Sequence, residues 1–581
     1  MTVDKIIYFY YNGTRSTAQR QRHRKRRNLL KHTGSGKALL SSLLFLVLIF
    51  IFTSCGGRTD GTEASGTTEV DQTDTSRFLV AIEDEPDTVD FQCTSIHYTV
   101  AQNVFNRLVE TENDENGSMQ ILPSLAESWE VSEDGKSYTF HLRDNVTFSN
   151  GSPLTSSDVL YTFVRLLTHP DSCNGDIAEG IAGAAELKSG SSDSLEGFQI
   201  LDDLNFVITL EHPFEAFLSC LSTPGASILD EETTKEAGDR FGTDPLWTVG
   251  TGSFILWKWN PGAGLLLKAN PNCWQGAPGP EGLNLCFVTD SKEVRRMFEK
   301  GEIDILDLDE VGNTAEYYLH GDIYKDRLFE VPRIGITYIA LNESIAPLDD
   351  VRVRKAMQLS LDRAMLLAAV YGERGSVENG IFPHGLYGFN PELPEIPYDP
   401  EEAEALLNEA GYPDGCDLTV SVNSSSTRWE MSVLRLAASM WEKIGIRAKI
   451  EVIDESEFMS LRKSGKLACY TAQWMADFND PDNFIYTFFG NSENTMFRSL
   501  CYPREDVMER VRNARTIRDP EQRIAEYRDL EEKIVQEDAA WIPLYSRDRC
   551  YVTSERLEGI TAAWNGSVKN EYRKMTIADA G

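Results

Sequence analysis

Few of the patterns that build metal sites or disulfide frameworks occur in this chain. It has 10 Cys and 8 His in 581 residues, and neither residue type clusters. No Cys-x-x-Cys pair and no His-Glu-x-x-His sequence is present, and the nine cysteines after Cys55 are odd in number and scattered. The sequence therefore gives no support for a zinc site or a disulfide-built scaffold, and we expect no metal and no cofactor.

The motifs of common enzyme classes are missing as well. There is no Gly-x-Ser-x-Gly nucleophile elbow, and the stretch Gly34-Ser35-Gly36-Lys37 lacks the Ser or Thr that completes a phosphate-binding loop. No pair of catalytic carboxylates can be placed. We therefore expect a protein that is not an enzyme. A secreted hydrolase is the alternative from a different class, and it would consume a peptide pool that a binding protein returns intact.

Basic residues are scarce outside the N-terminus. The chain has 56 Lys and Arg against 91 Asp and Glu, a formal charge of −35. Residues 1–54 contain ten basic residues and one acidic residue, so the rest of the chain has a formal charge of −44. Because such an acidic surface repels phosphate backbones, we expect no nucleic acid as a partner of the folded part.

A targeting segment explains the basic N-terminus. Its basic residues precede an apolar run at 38–52, which is followed by Cys55. The order basic, apolar, small residues, cysteine is typical of a bacterial lipoprotein signal peptide. We predict a signal peptide at 1–54 and a lipid-modified Cys55, whose two acyl chains suffice for stable anchoring. The alternatives are a single transmembrane helix, for which an apolar run of about 15 residues is short, and a nucleic-acid-binding basic arm.

A flexible tether follows the predicted lipid anchor. Residues 56–76 are nearly free of large apolar side chains and rich in Gly, Ser and Thr, so they cannot form a core. With Cys55 they make a predicted lipidated tether at 55–77, which holds a globular body away from the membrane. We therefore expect the protein at the cell membrane, lipid-anchored and facing the extracellular or periplasmic side.

The body of the chain predicts several domains in which strands and helices mix. At about 100–200 residues per domain the length suggests two to four domains. Polar and apolar residues alternate at 129–131 and 138–142 around a turn at 133–136, which predicts a hairpin. Thr155, with Asp158 three residues on, predicts the start of a helix.

The second half of the chain is more helical. Apolar residues recur at helical spacing between 353 and 368. Asp399 as N-cap, Pro400 in the first turn and Gly411 as terminator delimit another helix.

Motifs along three long segments are those of a known family. The first segment has a Leu-Ala-x-Ser-Trp start, a Tyr-x-Phe-x-Leu-Arg strand, a Phe-x-x-Gly turn and a Thr-x-x-Asp-Val helix start, at 125–129, 138–143, 148–151 and 155–159. The second has Gly-Thr-Gly, Ala-Asn-Pro-Asn-x-Trp and Gly-Glu-Ile-Asp, at 250–252, 269–274 and 301–304. The third has Asp-Val-Arg-x-Arg-x-Ala, Tyr-Asp-Pro, Ala-Gly-Tyr-Pro and Trp-x-x-Asp, at 350–356, 398–400, 410–413 and 474–477.

Read together, these segments resemble the oligopeptide- and dipeptide-binding family, family 5, of the extracellular solute-binding proteins that serve ABC importers. The resemblance covers residues 78–581. It departs from the family at Ser253-Phe254, where members usually have Pro-Tyr, and at Cys273, where they usually have Tyr.

The resemblance implies an α/β fold, a two-lobed clamshell of the type II periplasmic-binding-protein kind with an additional α+β domain. Domain I would be a discontinuous lobe, and its three segments would be 78–105, 227–335 and 544–581. The additional domain II would be 106–226, and domain III, the second lobe, would be 336–543. The hinge would lie at the two crossings near 335 and 544.

The resemblance also implies a set of ligand-binding residues. In peptide-binding members a Trp-x-x-Asp motif places a carboxylate against the ligand's α-ammonium, and here it is Trp474-Met475-Ala476-Asp477. The backbone near Met475 would form strand-like hydrogen bonds with a peptide.

Other contacts would come from around this motif. Thr94 and Ser95 would close over the ligand from domain I. Arg462 aligns with an arginine that can pair a peptide carboxylate, although the partner basic position is Thr471 and an aromatic position is Glu455. Tyr545 would face the cleft beside the second crossing.

The resulting expectation is a solute-binding component that captures peptides by lobe closure and delivers them to the permease subunits of an ABC importer. We expect a monomer. The same fold could bind a non-peptide solute, namely a nickel chelate, an opine or an oligosaccharide. Asp477 favours a cationic group, and the dispersed His and Cys argue against a dedicated metal cage.

Overall fold

A computed structural model gives the fold. It describes residues 77–82, 84–94, 97–113, 119–309, 311, 315–372, 374–426, 428–569 and 571–578. The predicted signal peptide at 1–54, the predicted lipidation site Cys55, the tether up to residue 76 and the predicted ligand residue Ser95 lie outside the described residues. Among the described residues, no helix is both long enough and apolar enough to span a bilayer.

Strands are distributed along the whole described chain. In chain order they are β1 (Arg77–Ile82), β2 (Val109–Asn113), β3 (Met119–Pro123), β4 (Ala126–Val131), β5 (Ser137–Leu142), β6 (Phe198–Ile200), β7 (Asn205–Thr209), β8 (Phe254–Asn260), β9 (Gly264–Ala269), β10 (Gly282–Phe287), β11 (Ile305–Asp307), β12 (Leu328–Val331), β13 (Gly335–Leu341), β14 (Ser376–Val377), β15 (Cys416–Asn423), β16 (Ile446–Ile453), β17 (Cys469–Met475), β18 (Trp541–Ser546), β19 (Arg549–Thr553), β20 (Leu557–Glu558) and β21 (Thr576–Ile577).

Helices are shorter in the first half and longer in the second. In chain order they are α1 (Thr99–Val104), α2 (Ser156–Thr168), α3 (Ala184–Ser189), α4 (Phe217–Leu221), α5 (Glu231–Ala237), α6 (Ser291–Glu299), α7 (Ala315–Leu319), α8 (Val351–Leu359), α9 (Arg363–Tyr371), α10 (Pro400–Glu409), α11 (Arg428–Lys443), α12 (Glu455–Lys463), α13 (Asp482–Phe489), α14 (Ser492–Phe497), α15 (Glu505–Ala514) and α16 (Pro520–Glu532).

A seven-stranded sheet collects strands from the start, the middle and the end of the chain. Its order is β12-β19-β11-β1-β10-β9-β8, and β1 pairs in parallel with both β10 and β11. One face buries Phe78 and Val80 against Val100 and Val104 of α1. The other face packs on α6 and α7.

A six-stranded sheet forms a second body with a core on each face. Its order is β14-β18-β13-β17-β15-β16. Every residue of β13 is buried, because Ile336 and Tyr338 face one hydrophobic cluster while Ile339 and Leu341 face another. Such a strand reads as a continuous apolar run, as expected when helices cover both faces. The chain enters this sheet between β12 and β13 and leaves it between β18 and β19.

A smaller four-stranded sheet, β4-β5-β7-β6, packs with α2 in a core of its own. The predicted hairpin is confirmed, since β4 and β5 pair antiparallel with Val131 opposite Tyr138. The predicted start of α2 is also confirmed. Asp158 Oδ2 accepts the backbone N–H of Thr155 at 2.8 Å and its hydroxyl at 2.9 Å, which satisfies groups that a helix N-terminus leaves free.

Candidate functional site

The strand that carries the Trp-x-x-Asp motif has one unpaired edge. β17 pairs with β13 over its full length, from Met475 opposite Gly335 to Cys469 opposite Leu341. On its other side, β17 pairs with β15 only at Cys469 and Tyr470. From Thr471 onward this edge has no strand partner in the part of the chain that the structure describes. An unpaired edge presents N–H and C=O groups that an extended peptide can bond as an added strand.

Asn483 fixes the position of Asp477 at the end of this strand. The backbone N–H of Asp477 donates to Asn483 Oδ1 at 3.0 Å, and Asn483 Nδ2 donates to Asp477 Oδ2 at 3.2 Å. Trp474 Nε1 donates to the same Asn483 Oδ1 at 3.3 Å. Asn483 lies buried in the first turn of α13, so one buried side chain bonds both the Trp and the Asp of the motif. Sequence reasoning missed this residue.

The carboxylate of Asp477 is accessible to solvent and yet surrounded by protein. Its side chain is exposed, while loss of surrounding water raises the pKa of the carboxyl; the Asn483 hydrogen bond opposes that rise, and Asp176 adds to it. No ion pair to Asp477 is present among the described residues. A cation supplied by a ligand would therefore meet an unpaired acid.

The segment predicted to close over the ligand is held in place by two side chains. The carbonyl of Thr94 accepts from Tyr98 Oη at 2.7 Å and from Asn174 Nδ2 at 2.9 Å. Burial raises the pKa of Tyr98, the Asn174 hydrogen bond opposes this, and Asp477 and Asp176 are among the negative charges that raise it further. Tyr98 and Asp176 therefore lie close enough to Asp477 to interact with it electrostatically. Neither residue was predicted from the sequence.

Two arginines lie near the motif without an acidic partner. The guanidinium of Arg462, in α12, is 5.9 Å from the ring centre of Phe497. The guanidinium of Arg498 is 4.8 Å from the ring centre of Trp474. Burial lowers the pKa of Arg498, and the charge of Arg462 lowers it further. Within the described ranges neither arginine forms an ion pair, so both can accept a carboxylate from a ligand. Arg498 was not predicted.

Met475 and Ala476 lie at the end of β17, next to the start of the neighbouring strand β13. Ala476 is buried, and its N–H donates to the carbonyl of Ile334 at 2.9 Å. A Cβ at Gly335 would lie 2.8 Å from the backbone carbonyl oxygen of Trp474, and it would also meet the flexible end of the Met475 side chain. Gly335 is therefore needed for close approach. Thr471, at the position where the family has a basic residue, donates its hydroxyl to the carbonyl of Tyr338 at 3.0 Å.

Tyr545 lies away from any open surface in this conformation. It is 1% exposed in β18, and its ring centre is 5.7 Å from that of Tyr371. Burial raises the pKa of its hydroxyl. Its predicted contact with a ligand stays a prediction.

A cavity of about 540 Å³ lies elsewhere, and none of the four motif residues lines it. Its lining includes Arg107, Ile334, Trp564 and Arg573, so it lies beside the start of β13 and the C-terminal segment. No group of three or more His, Cys, Asp or Glu side chains able to hold a metal ion is found among the residues that the structure describes.

A family model for "Bacterial extracellular solute-binding proteins, family 5 Middle" matches residues 120–496. Heme-binding protein A of Haemophilus influenzae is 29% identical over 456 residues, which are 76% of this chain and 82% of that protein. Di/tripeptide-binding protein 2 of Pseudomonas aeruginosa is 31% identical over 444 residues, which are 74% of this chain and 81% of that protein.

The structure of HbpA2 from Haemophilus parasuis matches with a TM-score of 0.71 at 25% identity. The match covers 86% of this chain and 99% of that structure. The predicted fold class is confirmed: the protein has the α/β clamshell fold of type II periplasmic binding proteins with an additional α+β domain.

The chain belongs to the bacterial extracellular solute-binding proteins of family 5, as the resemblance in its motifs predicted. The relatives named here are binding proteins rather than enzymes.

Proposed function

We propose that this protein is the membrane-anchored, extracellular binding component of an ABC importer, which captures peptides by lobe closure and delivers them to the permease. The observation that carries the proposal is the unpaired acid at the end of an unpaired strand edge. The edge of β17 from Thr471 to Met475 offers main-chain bonds that do not depend on peptide sequence. Asp477 then selects the end of the peptide that carries a positive charge.

The geometry suits an α-ammonium better than a neutral group. A carboxylate that is poorly hydrated and lacks a protein cation gains a charge-assisted bond when an ammonium arrives. Arg498 and Arg462 provide positive charge near the same strand, where a peptide's carboxylate can be paired. Opposite charges at the two ends favour a zwitterionic solute such as a short peptide.

The domains are proposed as the family resemblance implies: 78–105, 227–335 and 544–581 for domain I, 106–226 for domain II and 336–543 for domain III. Asp309 supports a hinge between domains I and III, because it pairs with an arginine beside each crossing. Its Oδ2 is 3.2 Å from Arg333 Nη1, and its Oδ1 is 3.1 Å from Arg547 Nη1. One carboxylate of the proposed domain I therefore pairs with an arginine at each of the two chain crossings.

Membrane attachment is part of the proposal. The lipoprotein signal at 1–54, the lipid-modified Cys55 and the tether to residue 77 rest on the sequence pattern. A monomer anchored in this way would present both lobes to a permease, and closure would signal that the site is occupied.

The family fold by itself does not decide the solute, because the relatives' names include heme as well as di- and tripeptides. Nickel chelates, opines and oligosaccharides remain the alternative solutes. The unpaired carboxylate of Asp477 favours a ligand with a free amine over each of these.

The test is to purify the full chain in mild detergent from its own cells and identify co-purifying solutes by mass spectrometry. After solute removal, calorimetry with a set of di- to pentapeptides should give binding for peptides with a free amine and much weaker binding for their N-acetylated forms. Equal affinity for both forms would refute amine recognition. Consumption of the peptides would support the hydrolase alternative instead.

A further inference from the structure

The segment that contains the four-stranded sheet contacts the body of the six-stranded sheet through Arg515, which follows α15. The Arg515 guanidinium lies 3.8 Å from the ring centre of Tyr486 and 4.3 Å from that of Phe214. Its Nε is 3.0 Å from Asp482 Oδ1. Phe214 belongs to the proposed domain II, whereas Tyr486 and Asp482 belong to α13 of the proposed domain III. A cation held between two rings joins these two regions.

Arg518, three residues later, makes a second set of contacts across the same interface. Its Nε is 3.3 Å from Glu215 Oε1, and its Nη1 donates to the carbonyls of Ser132 and Glu133 in the β4–β5 turn. The backbone also takes part, since the N–H of Glu215 donates to the carbonyl of Arg515 at 3.3 Å. Several of these bonds use main-chain groups, so they require a defined arrangement of the two regions.

A third contact lies next to the ligand motif. Asn479 Nδ2 donates to Asn113 Oδ1 at 3.0 Å, and Asn479 is fully buried. Asp482, the partner of Arg515, directly precedes Asn483, which holds Asp477. The interface and the ligand carboxylate are therefore connected through a single helical turn.

We propose that Arg515 and Arg518 form a latch between the additional domain and the second lobe, and that the arrangement in which these contacts form is the closed, ligand-retaining one. This inference rests on the proposed function, because it assigns the additional domain a role in closure. Neither arginine is among the proposed ligand residues, so we expect the latch to stabilise the closed form similarly for every solute. Its loss should shorten ligand retention without altering the choice of ligand.

The test compares the full-chain double variant Arg515→Ala/Arg518→Ala with Arg510→Ala. Arg510 is the matched control because it lies on the same stretch of chain and pairs within one lobe, with Glu526 at 2.8 Å and Asp529 at 2.6 Å. The double variant should release peptide about 10- to 100-fold faster, as expected for the loss of two partly buried cation contacts. The ratio of affinities for free-amine and N-acetylated peptides should be unchanged.

Hydrogen exchange of the ligand-free chain provides a second readout. The double variant should exchange faster than Arg510→Ala at residues 126–142 and 476–489, on both sides of the interface. Release rates and exchange equal to those of Arg510→Ala would overturn the latch.

Two further measurements distinguish a failure of the latch proposal from misfolding of the variant and from a failure of the proposed function. Should the double variant fail to fold, Arg518→Ala alone, whose side chain is 43% exposed, carries the same comparison with a smaller effect. A wild-type chain that binds no peptide would refute the proposed function, while the exchange measurement would still decide whether the latch exists.

Discussion

Asp477 and Asp480 lie three residues apart after β17, and their surroundings are opposite. Asp480 is buried and accepts two bonds from Arg523, at 2.6 Å and 2.8 Å, and Arg523 is itself buried. Asp477 is exposed, and among the described residues its carboxylate accepts a hydrogen bond only from the side-chain amide of Asn483. One acid is neutralised inside the protein, and the other keeps its charge available.

The difference shows how a single loop separates folding from binding. A buried charge is tolerated only when it is paired, so the partner of Asp480 must come from the protein. An acid that has to bind a ligand cation cannot have such a partner beforehand. The unpaired state of Asp477 therefore has a cost in the ligand-free protein, as its raised pKa indicates.

The largest expected effect is on stability, from Asp480→Asn. Removing this charge leaves the buried Arg523 guanidinium unpaired, which should lower the free energy of unfolding by about 3–5 kcal/mol. Denaturation by urea measures it. The control is Asp417→Asn, which breaks an exposed pair with Arg447 and should leave stability nearly unchanged. Similar stability for the two variants would show that the Asp480 pair is not a structural requirement.

Asp477→Asn should weaken peptide binding by a free energy comparable to the stability that Asp480→Asn loses. Unlike Asp480→Asn, it should not destabilise the protein. Loss of the carboxylate should weaken the binding of peptides with a free amine by about 2–5 kcal/mol, because their ammonium loses its partner. The ligand-free variant should be at least as stable as the wild type, since the poorly hydrated charge is gone. Calorimetry and thermal melts test both statements. An unchanged affinity would contradict the role of Asp477.

Acidification should weaken peptide binding earlier than an ordinary aspartate would. The pKa of Asp477 is raised, so its carboxylate is protonated as the pH falls through a range above the usual one, while the peptide ammonium stays charged. In the same range the ligand-free protein should gain stability from this group, because the neutral acid is easier to bury. From neutral pH downwards, affinity in the wild type should begin to fall at a higher pH than expected for an aspartate with the usual pKa of about 3.9, and Asp477→Asn should not show this early fall.

Trp474→Phe should give the smallest effect. The variant keeps a ring beside Arg498 but loses the indole N–H that donates to Asn483 at 3.3 Å. Loss of one such bond costs about 1 kcal/mol, so affinity should fall several-fold. Trp259→Phe is the control, because its indole N–H donates to Glu85 in the seven-stranded sheet region. A loss as large as that of Asp477→Asn would mean that Trp474 contacts the ligand directly.

Local features of the fold could be predicted from sequence where neighbouring residues decide them. The hairpin of β4 and β5 follows from alternation around a short turn, and the start of α2 follows from Thr155 and Asp158. The family motifs led to Asp477 and Thr94. Asn483, Arg498, Asp176 and Tyr98 escaped prediction, because their roles depend on contacts between distant parts of the chain and no local pattern marks them.

The sequence by itself determined the family, the fold class and the acid at the end of the motif strand. These features followed from the resemblance of the motifs to those of a known family, while patterns of turn, cap and alternation predicted only local elements such as the β4–β5 hairpin and the start of α2. The tertiary structure alone decided that the edge beyond Tyr470 is unpaired, that Asp480 has a buried cation while Asp477 has none, and that Arg515 lies between rings of two regions. Pairing and hydration are properties of the surroundings of a residue, and only folding brings those surroundings together.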